Sequence, residues 1–254
     1  MNDAEFKNIW LSEQAAAQIH GWDFSHIAGR YEEGEDIPWD YTARAKGLLS
    51  PAARILDIDT GGGEVLLSLG HPHRLTAATE GFPPNAALCR ETLSPLGIDF
   101  READGGGVLP FPDGSFDLIL NRHGDYREEE IFRLLKPGGT FLTQQVGAHN
   151  DRELVELLLP GAPLPYPQQT LAQAGERLKR AGLTVLEGRE HFGRIRFFEV
   201  GALVWFARVI EWEFPGFSVE GCFDRLCAAN RLLAEQGALE GRTHRFLLIA
   251  RKPD

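Results

Sequence analysis

Short apolar runs alternate with amphipathic stretches through the middle of the chain. Ala53 to Ile58 carries Ile55, Leu56 and Ile58, the near-continuous run of a parallel strand buried on both faces, and Glu64-Val65-Leu66-Leu67-Ser68-Leu69 then opens a helix. Further strands are predicted over Arg74 to Thr79, Ile98 to Ala103, Phe116 to Leu120, Leu183 to Glu187 and Thr243 to Ala250. Helices are predicted over Ala86 to Leu93 after a Pro83-Pro84 entry, Glu128 to Leu135, Asp151 to Leu158, Gln169 to Ala181 and around Val219 to Glu235. Asn8 to His20 also has helical spacing, with Ile9, Ala16 and Ile19 near one face. Two aromatic concentrations flank this core. Phe6, Trp10, Trp22, Phe24, Tyr31, Trp39 and Tyr41 precede the first core strand, and Phe192, Phe197, Phe198, Trp205, Phe206, Trp212, Phe214 and Phe217 lie in the second.

A length of 254 residues suits one large α/β domain with insertions, or one domain and a cap. We expect an N-terminal aromatic arm over 1–50 and a main domain over 51–254, with an insertion at about 190–240. The arm reads either as a cap closing over a ligand or as packing on the outside of the sheet. The second aromatic stretch reads as core, dimer contact or pocket wall. A formal net charge of -11 argues against a phosphate-tracking surface, so nucleic acid is not the expected partner. Three scattered cysteines suggest neither a disulfide framework nor a zinc site. The apolar stretch Val200 to Ile210, interrupted by Arg208, falls short of the ~20 residues that span a bilayer. With no leader-like N-terminus, a soluble cytoplasmic protein, monomer or homodimer, is the expectation.

The strongest local signal is Ile55-Leu56-Asp57-Ile58-Asp59-Thr60-Gly61-Gly62-Gly63-Glu64, a strand, a glycine turn and a helix start whose free N–H groups point back at the turn. A nicotinamide-binding G-x-G-x-x-G would need its third glycine at Leu66, which disfavours an NAD-dependent oxidoreductase. Glu80, about twenty residues on at a strand end, is placed to accept from a ribose diol. Asp104 follows the next strand and precedes Gly105-Gly106-Gly107, where a carboxylate could accept from an exocyclic amine and a flat neighbour such as Leu109 could sandwich a purine. A turn-forming aspartate is the alternative.

Asp57-x-Asp59-x-Gly61-x-Gly63, Asp104 ahead of Leu109-Pro110-Phe111-Pro112-Asp113-Gly114-Ser115-Phe116-Asp117, and Arg133-Leu134-Leu135-Lys136-Pro137-Gly138-Gly139 before Thr140-Phe141-Leu142 together resemble the class I S-adenosylmethionine (SAM)-dependent methyltransferases. Asp59 stands where that family has its first motif glycine. The resemblance covers about Arg54 to Gln145 and implies a Rossmann-like α/β fold. Its mostly parallel seven-stranded sheet has order 3-2-1-4-5-7-6, with helices on both faces, an N-terminal arm and a strand 6–7 insertion. It further implies SAM as cofactor, S-adenosylhomocysteine as product, and cofactor contacts from Asp57, Asp59, Thr60, Gly61, Gly63, Glu80, Gly81, Asp104, Gly105 and Asn121.

Methyl transfer from a sulfonium is an in-line displacement that asks the protein chiefly to align the acceptor and exclude water. Of eight histidines, His123 is best placed as a general base, or as a loop residue that shapes the pocket. Arg122, Gln144 and His149 share that sheet edge as acceptor-pocket candidates; Arg122 could pair with an acceptor carboxylate or with Asp125. His71-x-His73 falls at the opposite edge without a third ligand, so no metal is expected. The expected activity is methylation of a small molecule. An RNA or protein methyltransferase, or a SAM-binding module without catalysis, are the alternatives.

Overall fold

The computed structural model describes residues 2–18, 23–34 and 37–254. In chain order the elements are α1 (Asp3–Ala16), β1 (Tyr31–Glu33), α2 (Tyr41–Leu48), β2 (Ile55–Ile58), α3 (Glu64–Ser68), β3 (Thr76–Glu80), α4 (Pro83–Thr92), β4 (Asp99–Glu102) and β5 (Phe116–Arg122). They continue with α5 (Glu128–Leu134), β6 (Leu135–Val146), α6 (Arg152–Leu158), α7 (Leu171–Arg180), β7 (Thr184–Phe197), α8 (Val200–Val209), α9 (Phe223–Gln236) and β8 (Leu239–Arg251). The strand order is β1-β7-β8-β6-β5-β2-β3-β4. Counted from β2, seven strands follow the expected 3-2-1-4-5-7-6; the eighth, β1, comes from the N-terminal stretch and pairs antiparallel with β7 through Tyr31↔Phe197.

The chain divides into two compact units, one of residues 1–37, 148–167 and 191–244, the other of residues 38–147, 168–190 and 245–254. In the second unit β4, β3, β2, β5 and β6 are parallel neighbours, and β8 runs antiparallel to β6. Alternation along these strands sorts side chains into two cores. Leu56, Ile58, Ile119, Phe141, Phe246 and Leu248 pack with Ile131 and Leu134 of α5 and Ala174 and Leu178 of α7. Ile55, Leu118, Leu120, Leu142, Leu247 and Ile249 pack with Tyr41 and Ala45 of α2, Leu66 of α3 and Cys89 of α4. A central strand such as β2 thus feeds both cores, each buried Ile or Leu contributing about 1.5–3 kcal/mol. Because β2 to β5 are parallel, their carboxyl ends emerge at one edge, where loops can converge.

The first unit is built on α8, from which Val200 to Ala207 are all buried together with Val209. An all-round apolar helix needs partners on every side. Its core supplies Trp10, Phe197, Phe214, Phe217, Leu226 and Ala229 among others. The capping box at Asn2 and Glu5 starts α1. The helix predicted over Asn8 to His20 begins earlier, at Asp3, and buries Trp10 (2% exposed) rather than Ile9 (39%). Ile19, His20, Gly21 and Trp22 lie outside the described residues. The strand predicted over Leu183 to Glu187 extends to Phe197, and the helix predicted from Val219 starts at Phe223. Among the described residues no helix is long and apolar enough to cross a membrane.

Candidate functional site

The glycine turn after β2 is held from three directions, all within the second unit. Asp57, buried in β2, accepts from the Thr60 hydroxyl at 2.6 Å. Gly61 N–H donates to Glu80 Oε2 at 2.7 Å, and Phe82 N–H donates to Glu80 Oε1 at 2.8 Å, so the carboxylate at the β3 tip ties the turn to its own loop. The Cys89 thiol donates to the Gly61 carbonyl at 3.0 Å. Burial first, then the nearby acids, push that thiol up to about 12, which makes it an inert clasp. Gly61 has φ +65° with open space where a side chain would project, whereas a Cβ at Gly63 (φ +86°) would meet Leu93 at 2.8 Å. A residue with a side chain is strained at either position, and only the first leaves room for a ligand to approach the backbone.

The tips of β3 and β4 come equally close, since a Cβ on Gly81 would stand 2.8 Å from Asp104 Cα. Asp104 is exposed, and its Oδ1 accepts from Gly106 N–H at 2.7 Å, so the turn-forming role is real. Its other oxygen makes no hydrogen bond among the described residues. Leu109, expected as a flat neighbour for a purine, is corrected: it is buried in the core beneath. The exposed apolar side chains on these two loops are Phe82 (58%) and Val108 (72%).

Asp59 has a role that its motif position does not announce. It holds φ +53°, the left-handed conformation that glycine adopts readily and that aspartate tolerates. Its Oδ1 accepts from Gly105 N–H at 3.1 Å and its Oδ2 from Asp125 N–H at 3.0 Å, stapling the glycine turn to the loops after β4 and β5. Room for the staple requires glycines: a Cβ on Gly124 would lie 2.4 Å from Asp59 Cβ, and one on Gly105 2.9 Å from Asp59 Oδ2. Desolvation raises the Asp57 and Asp59 carboxyls to about 7, and the other acids of the cluster push the same way. Arg122 partly offsets this at Asp57. Asp57, Asp59, Glu80 and Asp104 together gather negative charge about the glycine turn, an arrangement suited to a cationic ligand.

Asn121, expected at the cofactor, is fully buried and its amide is committed to the framework. Nδ2 donates to the Ile58 and Asp125 carbonyls, both at 3.2 Å, and Oδ1 accepts from Thr143 at 3.0 Å and Gln145 at 2.5 Å. Gln145 likewise donates to the Gly124 carbonyl at 3.1 Å. These residues hold the ends of β2, β5 and β6 together.

His123 sits next along, at φ +62°. The Trp39 indole N–H donates to Gln144 Oε1 at 2.8 Å, which turns the Gln144 Nε2 toward His123 Nε2 at 3.0 Å. An amide NH₂ only donates, so His123 Nε2 accepts and its proton sits on Nδ1. Solvent reaches the ring although protein surrounds it, as for a group lining a cleft. Desolvation, followed by the Arg245 and Arg122 guanidiniums, pushes its pKa down to about 3. In this arrangement His123 is a neutral imidazole whose Nε2 accepts from Gln144 and whose Nδ1–H is left as a donor, which disfavours the general-base reading and favours a residue that shapes the pocket. Arg122 is exposed and forms no ion pair with Asp125 among the described residues; its charge acts on Asp57, Tyr41 and His123.

His149 belongs to the first unit, where it borders a separate cavity. His71 and His73 hydrogen-bond the Ala53 and Leu96 carbonyls at 2.8 and 3.2 Å, and no metal-holding cluster occurs among the described residues. Sequence reasoning missed Trp39, Cys89, Phe82 and Val108. Trp39 carried a signal only as part of the aromatic arm, and Cys89 only through its spacing with Ala86 on the inward face of α4.

Comparison with known proteins agrees with this geometry. Residues 56–143 match the family described as Methyltransferase domain. A demethylmenaquinone methyltransferase of Thermus thermophilus is 35% identical over 133 residues, 46% of this chain and 60% of that protein. A fatty-acid O-methyltransferase of Mycolicibacterium smegmatis is 31% identical over 126 residues, 46% of this chain and 45% of that protein. A Bacillus halodurans C-125 structure, provisionally described as a methyltransferase, superposes with a TM-score of 0.59 at 18% identity, covering 87% of this chain and all of that one. The chain thus spans about half the length of the curated relatives it matches. Residues 56–143, which hold the glycine turn and the strands around it, are similar to the methyltransferase domain.

Proposed function

We propose that the protein transfers a methyl group from SAM to a small organic acceptor. The observation that carries this reading is the clustering of three carboxylates about the glycine turn: Glu80 accepts from Gly61 N–H, Asp57 from the Thr60 hydroxyl and Asp59 from Gly105 N–H, beside the open backbone of Gly61. The donor set fits the cofactor: acidic oxygens for a diol, an amine and an ammonium, with negative charge around a sulfonium. When bound, SAM supplies an electrophilic methyl carbon on a positively charged sulfur.

Glu80, fixed by two backbone N–H donors, keeps free lone pairs for a ribose diol. Asp104 would accept from the adenine amine, and Phe82 and Val108, apolar and exposed on the loops to either side, would cover the ring faces. Asp57 would take the ammonium of the amino-acid portion. Held there, SAM would give up its methyl to an acceptor lone pair and leave a neutral thioether, so Asp57, Asp59 and Glu80 would face less positive charge afterwards, and any proton carried by the acceptor would pass to water.

His123 Nδ1–H and Arg122 favour an acceptor that is already an anion or a readily ionised oxygen acid, since both stabilise negative charge and neither removes a proton. The relatives fit no single acceptor, one being named for a demethylmenaquinone and another for a fatty acid.

Calorimetric titration with SAM and with S-adenosylhomocysteine tests the reading independently of turnover. Saturable binding of both, with no binding of NAD, is expected. Absence of binding would remove the cofactor assignment.

A further inference from the structure

A second site lies within the first unit. Residues of α6 and its flanking loops, the start of α9, β7 and β8 line an open cavity of about 920 Å³, within the range of small-molecule pockets. Its wall carries three arginines and two glutamates. The glutamates are already matched: Glu153 Oε1 accepts from Arg242 Nε at 2.5 Å and its Oε2 from Arg242 N–H at 3.1 Å, while Glu156 accepts from Arg152 Nη2 at 3.1 Å and from Gly161 N–H. Desolvation works against the Glu153 carboxylate, but the hydrogen bonds outweigh it and hold the group below its ordinary value.

The cationic side is not matched in the same way. Arg225 forms no ion pair or hydrogen bond among the described residues. Arg152 Nη2 is held by Glu156 and the Ala162 carbonyl, yet its Nη1 is shielded from water and has no acceptor. An unsatisfied guanidinium N–H is costly, and an oxyanion in the cavity supplies its missing acceptor once the Arg152 side chain turns Nη1 toward it. Beside these cations Phe192 is 43% exposed, its ring stacked on His244 at 4.3 Å, with Leu157 and Pro160 adding apolar wall. A flat, supported aromatic surface left open next to guanidiniums suits a ligand with an apolar body and an anionic head.

We propose that this cavity binds an organic oxyanion, a phosphate or carboxylate carried on an aromatic or apolar body. The head is taken by Arg225 and Arg152 and the body lies against Phe192 and Leu157. This site does not depend on methyl transfer.

The full-length protein is titrated by calorimetry at low salt with phenyl phosphate, benzoate and inorganic phosphate. Phenyl phosphate or benzoate binds in a saturable way, and inorganic phosphate binds more weakly than phenyl phosphate because it lacks the body. The relative affinities of phenyl phosphate and benzoate identify the preferred head. Arg225→Gln, at an exposed position without native partners, weakens binding at least tenfold, and Phe192→Ala removes the advantage of phenyl phosphate over inorganic phosphate. SAM affinity stays unchanged in both variants. Equal affinity in wild type and Arg225→Gln, or no saturable binding of either aromatic anion, would overturn the proposal whatever the protein does with SAM.

Discussion

Replacing Asp59 by glycine, the residue that the motif carries elsewhere, has an outcome that depends on pH. The substitution removes two hydrogen bonds, from Gly105 and Asp125 N–H, and leaves those donors to water. Bonds to a charged acceptor contribute about 1.5–3 kcal/mol each. Against this, glycine relieves a left-handed backbone strain of about 1 kcal/mol. It also removes a carboxyl whose pKa is raised from 3.8 to about 7, chiefly by desolvation. At about 1.4 kcal/mol per unit that shift corresponds to at most about 4 kcal/mol of penalty on the ionised form, less where water reaches the group. Asp59 holds its proton more tightly folded than unfolded. Its contribution therefore falls as pH rises from about 4 to about 7 and levels off above, where the folded carboxyl is ionised too. At pH 5.5 the variant should be less stable than wild type by up to about 2 kcal/mol, because the acid is largely neutral, its two hydrogen bonds then contribute about 0.5–1.5 kcal/mol each, and the relieved backbone strain offsets part of that. By pH 8.5 the deficit should shrink by at least about 1 kcal/mol, because the wild type then carries the penalty and the variant does not. Urea unfolding of both proteins at the two pH values measures this. A deficit that is constant or grows with pH would refute the assignment of Asp59 as a strained, charge-crowded staple.

Further outcomes follow from the same geometry. SAM affinity should rise at least about threefold between pH 6 and pH 8, since a cation favours ionised Asp57 and Asp59, and S-adenosylhomocysteine should respond less; equal pH slopes would detach the acids from the sulfonium. Once an acceptor is found, His123→Ala should lower turnover about tenfold or less with SAM affinity intact, and wild-type turnover should show no ionisation between pH 5 and 8 attributable to an imidazole. An inflection near pH 6.5 that vanishes in the variant would restore the general-base role. Trp39→Phe should release the Gln144 amide and raise the acceptor KM more than it lowers kcat, whereas an unchanged KM would mean the Gln144–His123 contact does not position the acceptor. Cys89 should resist alkylation by iodoacetamide in the native protein and react after unfolding; rapid native labelling would contradict its place as a buried donor to Gly61.

The parts legible in the sequence were those set by short-range pattern. Ile55-Leu56-Asp57-Ile58 reads as a doubly buried strand because both faces of β2 are covered, and Glu80 and Asp104 fall at strand ends because the parallel sheet brings those ends to one edge. What remained hidden depends on contacts distant in sequence. Gln144 orients His123 only because Trp39, 105 residues away, fixes its amide, and nothing local in Asn121-Arg122-His123 shows that the imidazole is engaged. Asn121 looks like a pocket residue from its place after a strand, yet two carbonyls and two side chains absorb its amide. The first unit was legible only as aromatic density, since its core is assembled from three separated stretches and a helix so apolar all round that periodicity cannot give its orientation.

The central claim is that carboxylates from successive strand tips and the Gly61 turn hold an adenosyl sulfonium, and calorimetric titration of S-adenosylhomocysteine into wild type, Glu80→Gln and Asp104→Ala tests it most directly. One site is expected in the wild type, weakened at least tenfold in each variant while far-ultraviolet circular dichroism shows both still folded. Wild-type affinity retained in both variants, or no binding to the wild type, would contradict it.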